Sequence, residues 1–321
     1  MFGKMLKRIS LLLLILISTL LIWGYAGDIP AEKLRVKYAN GESEFVTLNN
    51  GLTVHLRDEG PVDAPAIILL HGSNASLHTW DAWTERLKGR YRIIRYDQAG
   101  HGLTGPHPAN CYTRECFARI VEAVADNRGL DHFILAGNSM GGGIAYHYAQ
   151  DHGDRLNGLI LVDAAGAPED KSRKLPIGFR IMTWPVINRL SIIITPRSVI
   201  EKSIHGSVSR SEFVDDAEVD LYWELIRHPG NRDATVRRFA TYARENAELA
   251  TKAKQLDIPT LILWGEEDRL IPVAAVKWCE AKLPIHESII YPATGHIPMQ
   301  EVTDESAADV DRWIVQNELT G

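Results

Sequence analysis

Residues 137–141 read Gly-Asn-Ser-Met-Gly, a G-x-S-x-G pentad placed where an apolar run gives way to a helical pattern. A serine between strand and helix, with glycines on both sides, is the arrangement that lifts a hydroxyl out of a sheet on a sharp, strained turn. Glycine inside a helix costs about 1 kcal/mol against alanine, so Gly141, Gly142 and Gly143 need a backbone reason. Gly137 and Gly141 would stand where a side chain collides with neighbouring backbone, and the next two would let the helix press on the sheet. Ser139 is therefore the candidate nucleophile, with a merely structural turn as the alternative.

A serine hydroxyl needs a base, and the base needs an acid to hold it. His296, in Thr294-Gly295-His296-Ile297-Pro298, stands on a glycine-containing loop after the last apolar run and is the candidate base. In the chain order Ser…Asp…His the acid falls between them. Asp268, in Trp264-Gly265-Glu266-Glu267-Asp268-Arg269, lies just past a strand end and fits. Glu266 and Glu267 are adjacent competitors, and Asp163, at the end of an earlier run, is a further one. An oxyanion needs two N–H donors. One is expected from Met140 and the other from the loop His71-Gly72-Ser73-Asn74-Ala75-Ser76, with Ser73 preferred to Asn74. His71, and His101 in Asp97-Gln98-Ala99-Gly100-His101-Gly102, read as structural.

These groups require a scaffold, and the rhythm of the chain predicts one. Short apolar runs at 45–48, 53–57, 66–70, 92–96, 133–136, 159–162, 260–264 and 288–291 alternate with segments of helical length such as 114–127. Continuous apolar strands alternating with helices mean a parallel sheet covered on both faces. Asn49-Asn50-Gly51 marks a hairpin at one edge. Residues 166–259 break the rhythm: no strand is credible there, yet the segment is too long for a loop. Helical stretches at 177–190, 214–226 and 233–254 predict a cap over the strand ends. The expected fold is α/β: a mostly parallel eight-stranded sheet with helices on both faces and a helical cap inserted after strand 6. The expected organisation is a signal-anchor over 1–27, a linker over 28–44, core over 45–166, cap over 167–258 and core again over 259–321.

The chain has 321 residues, of which 45% are hydrophobic and 24% charged, and a net charge of −6. That mild acidity gives no basic face for nucleic acid. Three cysteines are too few for a disulfide framework. Cys111 and Cys116 could pair or remain separate thiols. No metal-ligand spacing is present, and neither metal nor cofactor is expected. Lys4, Lys7 and Arg8 precede an apolar run of fifteen residues from 9 to 23, or eighteen counted through Ala26. A basic start before such a run is an export signal. It is read as a single membrane-anchoring helix with the rest of the chain on the non-cytoplasmic side, periplasmic in a bacterium; the alternative is secretion after cleavage near Ala26.

The motifs HGSNAS, DQAGHG, GNSMGG, WGEED and GHIP, in this order and spacing, resemble the α/β-hydrolase superfamily, and the resemblance covers about residues 45–315. GNSMGG followed by LVDAAG and GHIPMQE is similar to the esterase/lipase-like and carbon–carbon hydrolase branch. The resemblance implies a Ser139/Asp268/His296 triad and a cofactor-free acyl transfer to water. Serine at the elbow sets it apart from dehalogenases and epoxide hydrolases, which carry aspartate there. Carbon–carbon hydrolases usually read HGSGPG and are typically cytoplasmic. The expectation is therefore a carboxylic ester hydrolase, with monoacylglycerols and other lipid-derived esters as candidate substrates; the alternative is a carbon–carbon bond hydrolase of the meta-cleavage type. Apolar and aromatic residues of the cap, Trp184 among them, are candidates to line the substrate pocket, beside Asn74.

Overall fold

The computed structural model describes residues 5, 7–12, 14, 18, 19, 24–168, 184 and 187–319. The chain opens with helix α1 (Ala31–Tyr38) and the hairpin β1 (Ser43–Thr47) and β2 (Thr53–Glu59). Then come β3 (Ala66–Leu70), α2 (Asp81–Leu87), β4 (Arg92–Tyr96), α3 (Arg114–Asn127), β5 (Phe133–Asn138), α4 (Met140–His152) and β6 (Leu156–Val162). Four described helices follow without a strand: α5 (Ile187–Leu190), α6 (Arg197–His205), α7 (Asp216–Leu225) and α8 (Asn231–Lys252). The sheet resumes with β7 (Thr260–Gly265), α9 (Val276–Lys282) and β8 (His286–Tyr291), and the chain ends in α10 (Pro298–Glu301) and α11 (Thr303–Gln316).

The eight strands form one sheet in the order β1-β2-β4-β3-β5-β6-β7-β8. β1 pairs with β2 and β2 with β4 antiparallel; every other pairing is parallel. At Asn49-Asn50-Gly51 the hairpin turns with Gly51 at φ 82°, a left-handed conformation that glycine adopts without strain. β3 shows why the parallel strands are unbroken apolar runs. Ile68 and Leu70 enter the core on one face of the sheet, Ile67 and Leu69 that on the other, so no position is left for a polar side chain. Phe117, Ile120 and Val124 of α3 with Ile144 and Tyr148 of α4 cover the first face. Trp83 and Leu87 of α2 with Val310, Trp313 and Ile314 of α11 cover the second.

The strand order reverses beside β3: the chain runs from β3 out to β4 on one side and returns to β5 on the other. The loops leaving β3 and β5 are thereby brought together, and such a reversal is where open α/β sheets build their sites. Cys111 and Cys116 form a disulfide just before and inside the first turn of α3, with Cα atoms 6.0 Å apart.

Several expectations change at the N-terminus and in the insertion. Most of the apolar run at 9–23 lies outside the described residues. Among the described residues no helix is long and apolar enough to cross a membrane, so the expected anchor, and the localisation built on it, are not supported. The physical reason lies in Gly24–Ala26, which had to be counted to reach eighteen residues. They pair instead with the insertion: Thr195 N donates to Gly24 O and Ala26 N to Ile193 O, both at 3.0 Å, and Ala26 is 4% exposed. The fifteen residues left would make a helix of about 22 Å against a hydrocarbon core of about 30 Å. The stretch read as a linker carries α1, whose Leu34 and Tyr38 are buried against Leu103 and Leu225. In the insertion, the helix expected over 177–190 falls mostly on residues outside the described set. α6 was not foreseen because its Val199, Ile200 and Ile204 are β-branched and weak helix formers.

Arg232 of α8 ties the N-terminal segment down, donating to Ala26 O and, at 2.6 Å, to Asp28 Oδ1. Arg232→Leu is expected to cost about 2 kcal/mol, the scale of hydrogen bonds to a charged group. Urea unfolding measures the loss, and limited proteolysis should then cut near residues 24–30 faster than in the wild type.

Candidate active site

Ser139 occupies the turn between β5 and α4 at φ 55° and ψ −117°, a backbone conformation that costs a non-glycine residue strain. The surrounding hydrogen bonds hold it there. Its N–H donates to Val162 O at 3.0 Å, and its carbonyl accepts Gly143 N at 3.1 Å and Ala165 N at 2.9 Å. A Cβ on Gly137 would press on the backbone of Gly141, and one on Gly141 on the carbonyl of Leu70. The glycines of the pentad are thus required by backbone packing. Ser139 itself remains partly exposed while its neighbours on both sides are buried.

Of the four acids weighed for His296, the structure bonds Asp268 to it. His296 Nδ1 lies 2.7 Å from Asp268 Oδ2. Asp268 Oδ1 accepts Leu270 N at 2.6 Å and Ile271 N at 3.0 Å, so both of its oxygens are committed and the carboxylate is fixed in orientation. Asn138, the residue before Ser139, donates from Nδ2 to His296 O at 3.0 Å and to Val162 O at 3.2 Å, lashing the histidine loop to the elbow. Glu266 and Glu267 are exposed. Asp163 is fully buried at φ 45°, with its carboxyl within 4.8 Å of Asp268 and His296, but its Oδ1 accepts Gly265 N at 3.0 Å. Burial, and then the charge of Asp268, hold the Asp163 carboxyl well above the usual range, which favours its protonated form.

The loop after β3 packs over the serine, since a Cβ on Gly72 would stand 3.3 Å from Ser139 Cβ. Ser73 Oγ is buried there without a partner, and Asn74, at φ 61°, turns the chain. Met140 opens α4 directly after the serine. His71 braces this loop from below: its Nδ1 donates to Gly72 O at 2.7 Å and its Nε2 accepts Gln98 N at 3.0 Å. Burial pushes the His71 and His101 rings toward the neutral form, as structural hydrogen-bonders require. Trp184 stands 48% exposed, with its neighbours on both sides outside the described residues.

Glu301 escaped the sequence reading. Its Oε1 accepts Gly295 N at 2.7 Å, while Oε2 accepts Ser209 N at 2.7 Å and Arg210 N at 3.2 Å. One buried carboxylate therefore joins the histidine loop to the insertion, and His296 N adds a bond to Ser207 O at 2.7 Å. A glutamate five residues after the histidine, at the end of GHIPMQE, was the available signal.

An eight-stranded sheet of this order, with serine, histidine and acid at these strand ends, defines an α/β hydrolase. A family model described as alpha/beta hydrolase fold matches residues 65–301, and the chain belongs to that family. Among curated relatives it is 23% identical over 264 residues to a 2-hydroxy-6-oxononadienedioate/2-hydroxy-6-oxononatrienedioate hydrolase of Cupriavidus pinatubonensis, covering 80% of this chain and 89% of that one. It is 24% identical over 279 residues to Lipase 1 of Psychrobacter immobilis, covering 85% of each. Among solved structures, a meta-cleavage product hydrolase from Pseudomonas fluorescens superposes with a TM-score of 0.72 at 20% identity, covering 86% of this chain and 98% of that one.

Two outcomes test the site's electrostatics. The unfolded chain releases the Asp163 proton near pH 4 while the folded chain keeps it, so stability falls as pH rises from there toward the folded pKa. Asp163→Asn removes this titration, and denaturation at pH 5 and pH 8 should find the variant gaining on the wild type at the higher pH. Glu301→Gln replaces an acceptor oxygen by an amide that faces N–H donors, which should lower kcat about 10-fold or more and cost about 2 kcal/mol of stability.

Proposed function

We propose that the chain is a serine hydrolase of carboxylic esters acting through an acyl-enzyme. Ser139 Oγ attacks the ester carbonyl as His296 Nε2 takes its proton. Asp268 holds the ring by Nδ1 and balances the imidazolium. The oxyanion takes hydrogen bonds from the Met140 and Ser73 amides, with Asn74 shaping that wall. His296 returns its proton to the departing alcohol; a water, deprotonated by the same ring, then attacks the acyl carbon and releases acid and free serine. The helices between β6 and β7 serve as the cap that closes over the substrate. The observation that carries this reading is a strained serine turn with a glycine-bearing loop packed on it and a histidine–carboxylate pair lashed to it by Asn138.

A carbon–carbon bond hydrolase using the same triad is the second reading, favoured by the name of the Cupriavidus relative. Against it stand the sequence HGSNAS in the loop after β3 and the equal likeness to a lipase. Turnover of p-nitrophenyl esters from acetyl to palmitoyl, measured with Ser139→Ala alongside, separates the two. The expected result is hydrolysis over one range of chain lengths, lowered at least about 1,000-fold in the variant. Cleavage of a vinylogous diketone with no ester turnover would reverse the choice.

A further inference from the structure

Arg238 of α8 reaches from the insertion to the elbow and is 5% exposed. Its Nη1 lies 3.3 Å from Met140 Sδ, and its Nη2 donates to Asn74 Oδ1 at 3.2 Å. The guanidinium therefore stands against both walls of the proposed oxyanion site, and neither partner carries charge. Its Nε has no partner at all. The Tyr242 phenol acts on it electrostatically, and its own charge in turn disfavours protonation of the His71 and His101 rings. Burial lowers its pKa to about 10, so it keeps its charge at neutral pH. Glu245, which shares a small cavity with Arg238, has Arg114 and then Arg244 as its charged neighbours.

Three other buried arginines, Arg57, Arg95 and Arg232, are matched with acids, whereas Arg114 bonds the Asn246 amide. Arg95 pairs with Glu59 at 2.7 Å and Arg232 with Asp28 at 2.6 Å. A guanidinium held out of water without a carboxylate is costly, and removing an ion from water is repaid only by a well-placed counter-ion. Here a thioether and one amide oxygen stand where a planar fork could take two carboxylate oxygens at once. The Phe239 ring, 4.8 Å from the guanidinium carbon, packs on the head group.

We propose that Arg238 receives a free carboxylate of the substrate, so that the preferred esters are half-esters of short dicarboxylic acids. The proposal deepens the ester reading and rests on it for the reaction, though not for the binding site. Contact with the Met140 and Asn74 side chains puts the bound carboxylate close to the reacting carbonyl, which favours short diacids over long neutral acyl chains. Charge-assisted bidentate pairing supplies the affinity.

The test compares kcat/KM for monomethyl succinate, glutarate and adipate with that for methyl esters of branched monoacids of the same shape. Wild type should prefer a half-ester by about 10- to 100-fold, chiefly through KM, the range expected of one charge-assisted contact. Arg238→Met should bring the ratio of the two ester classes near one, with Arg238→Lys between. Equal rates on both classes in the wild type, or an unchanged ratio in Arg238→Met, would overturn the proposal. Calorimetric binding of monomethyl glutarate to Ser139→Ala, with and without Arg238→Met, decides the anion site even where no ester is turned over. Binding lost with the arginine supports the site; binding indifferent to it, or absent from a folded Ser139→Ala protein, refutes it.

Discussion

The structure hangs on one strained turn. Ser139 can hold a left-handed φ only because its N–H and carbonyl are captured by Val162, Gly143 and Ala165, which belong to β6, α4 and the loop after β6. The cost of such a conformation, about 1–3 kcal/mol, must be met by what surrounds it. The turn also dictates composition nearby. Gly137 and Gly141 lack side chains because β5, α4 and the end of β3 meet there at backbone contact. The same closeness lays the loop after β3 over the serine.

A serine, a histidine and an aspartate in hydrogen-bonded series do not by themselves make such a site. Such a series lies away from the elbow: His55 is 2.9 Å from Ser43 Oγ and 2.7 Å from Asp97 Oδ2. Ser43, however, opens an edge strand, where Arg57 Nε also donates to its oxygen at 3.1 Å and Phe45 stacks on the histidine ring. Asp97 is spent holding the Leu77 and Leu103 amides at 2.8 and 2.7 Å. That trio staples the hairpin to β4 and its following loop. The elbow differs in having a serine lifted by its backbone, with a glycine-bearing loop facing it.

The insertion is bound to the sheet at both ends of the site. Glu301 and Ser207 fasten it beside His296, and Arg238 and Thr235 reach Asn74 from α8, Thr235 at 3.2 Å. The N-terminal segment clamps its outer side through Arg232, Arg227 and Lys37, the last 2.8 Å from Glu224. A strap that begins at Gly24 and a loop that ends at Glu301 thus bear on the same helices. Substrate-facing surface on this insertion is set by packing between parts of the chain far apart in sequence.

What could be read without coordinates was whatever is written in local backbone needs. Apolar runs of strand length located all eight strands, with 66–70 and 92–96 agreeing at both ends, because a doubly covered sheet leaves no polar positions in its strands. α3 was legible over its whole length, Arg114–Asn127. The glycines announced the elbow for the same reason. Charge and contact across the fold were not legible. Nothing local separates Asp268 from Asp163; the difference is that one carboxyl meets two amides and an imidazole, whereas the other is buried beside it with its pKa raised. Nor does composition reveal that Gly24–Ala26 belong to the folded domain, that Glu301 bridges two loops, or that Arg238 lacks an acid. Each depends on which groups tertiary packing removes from water and which partners it then supplies, and a linear sequence states neither.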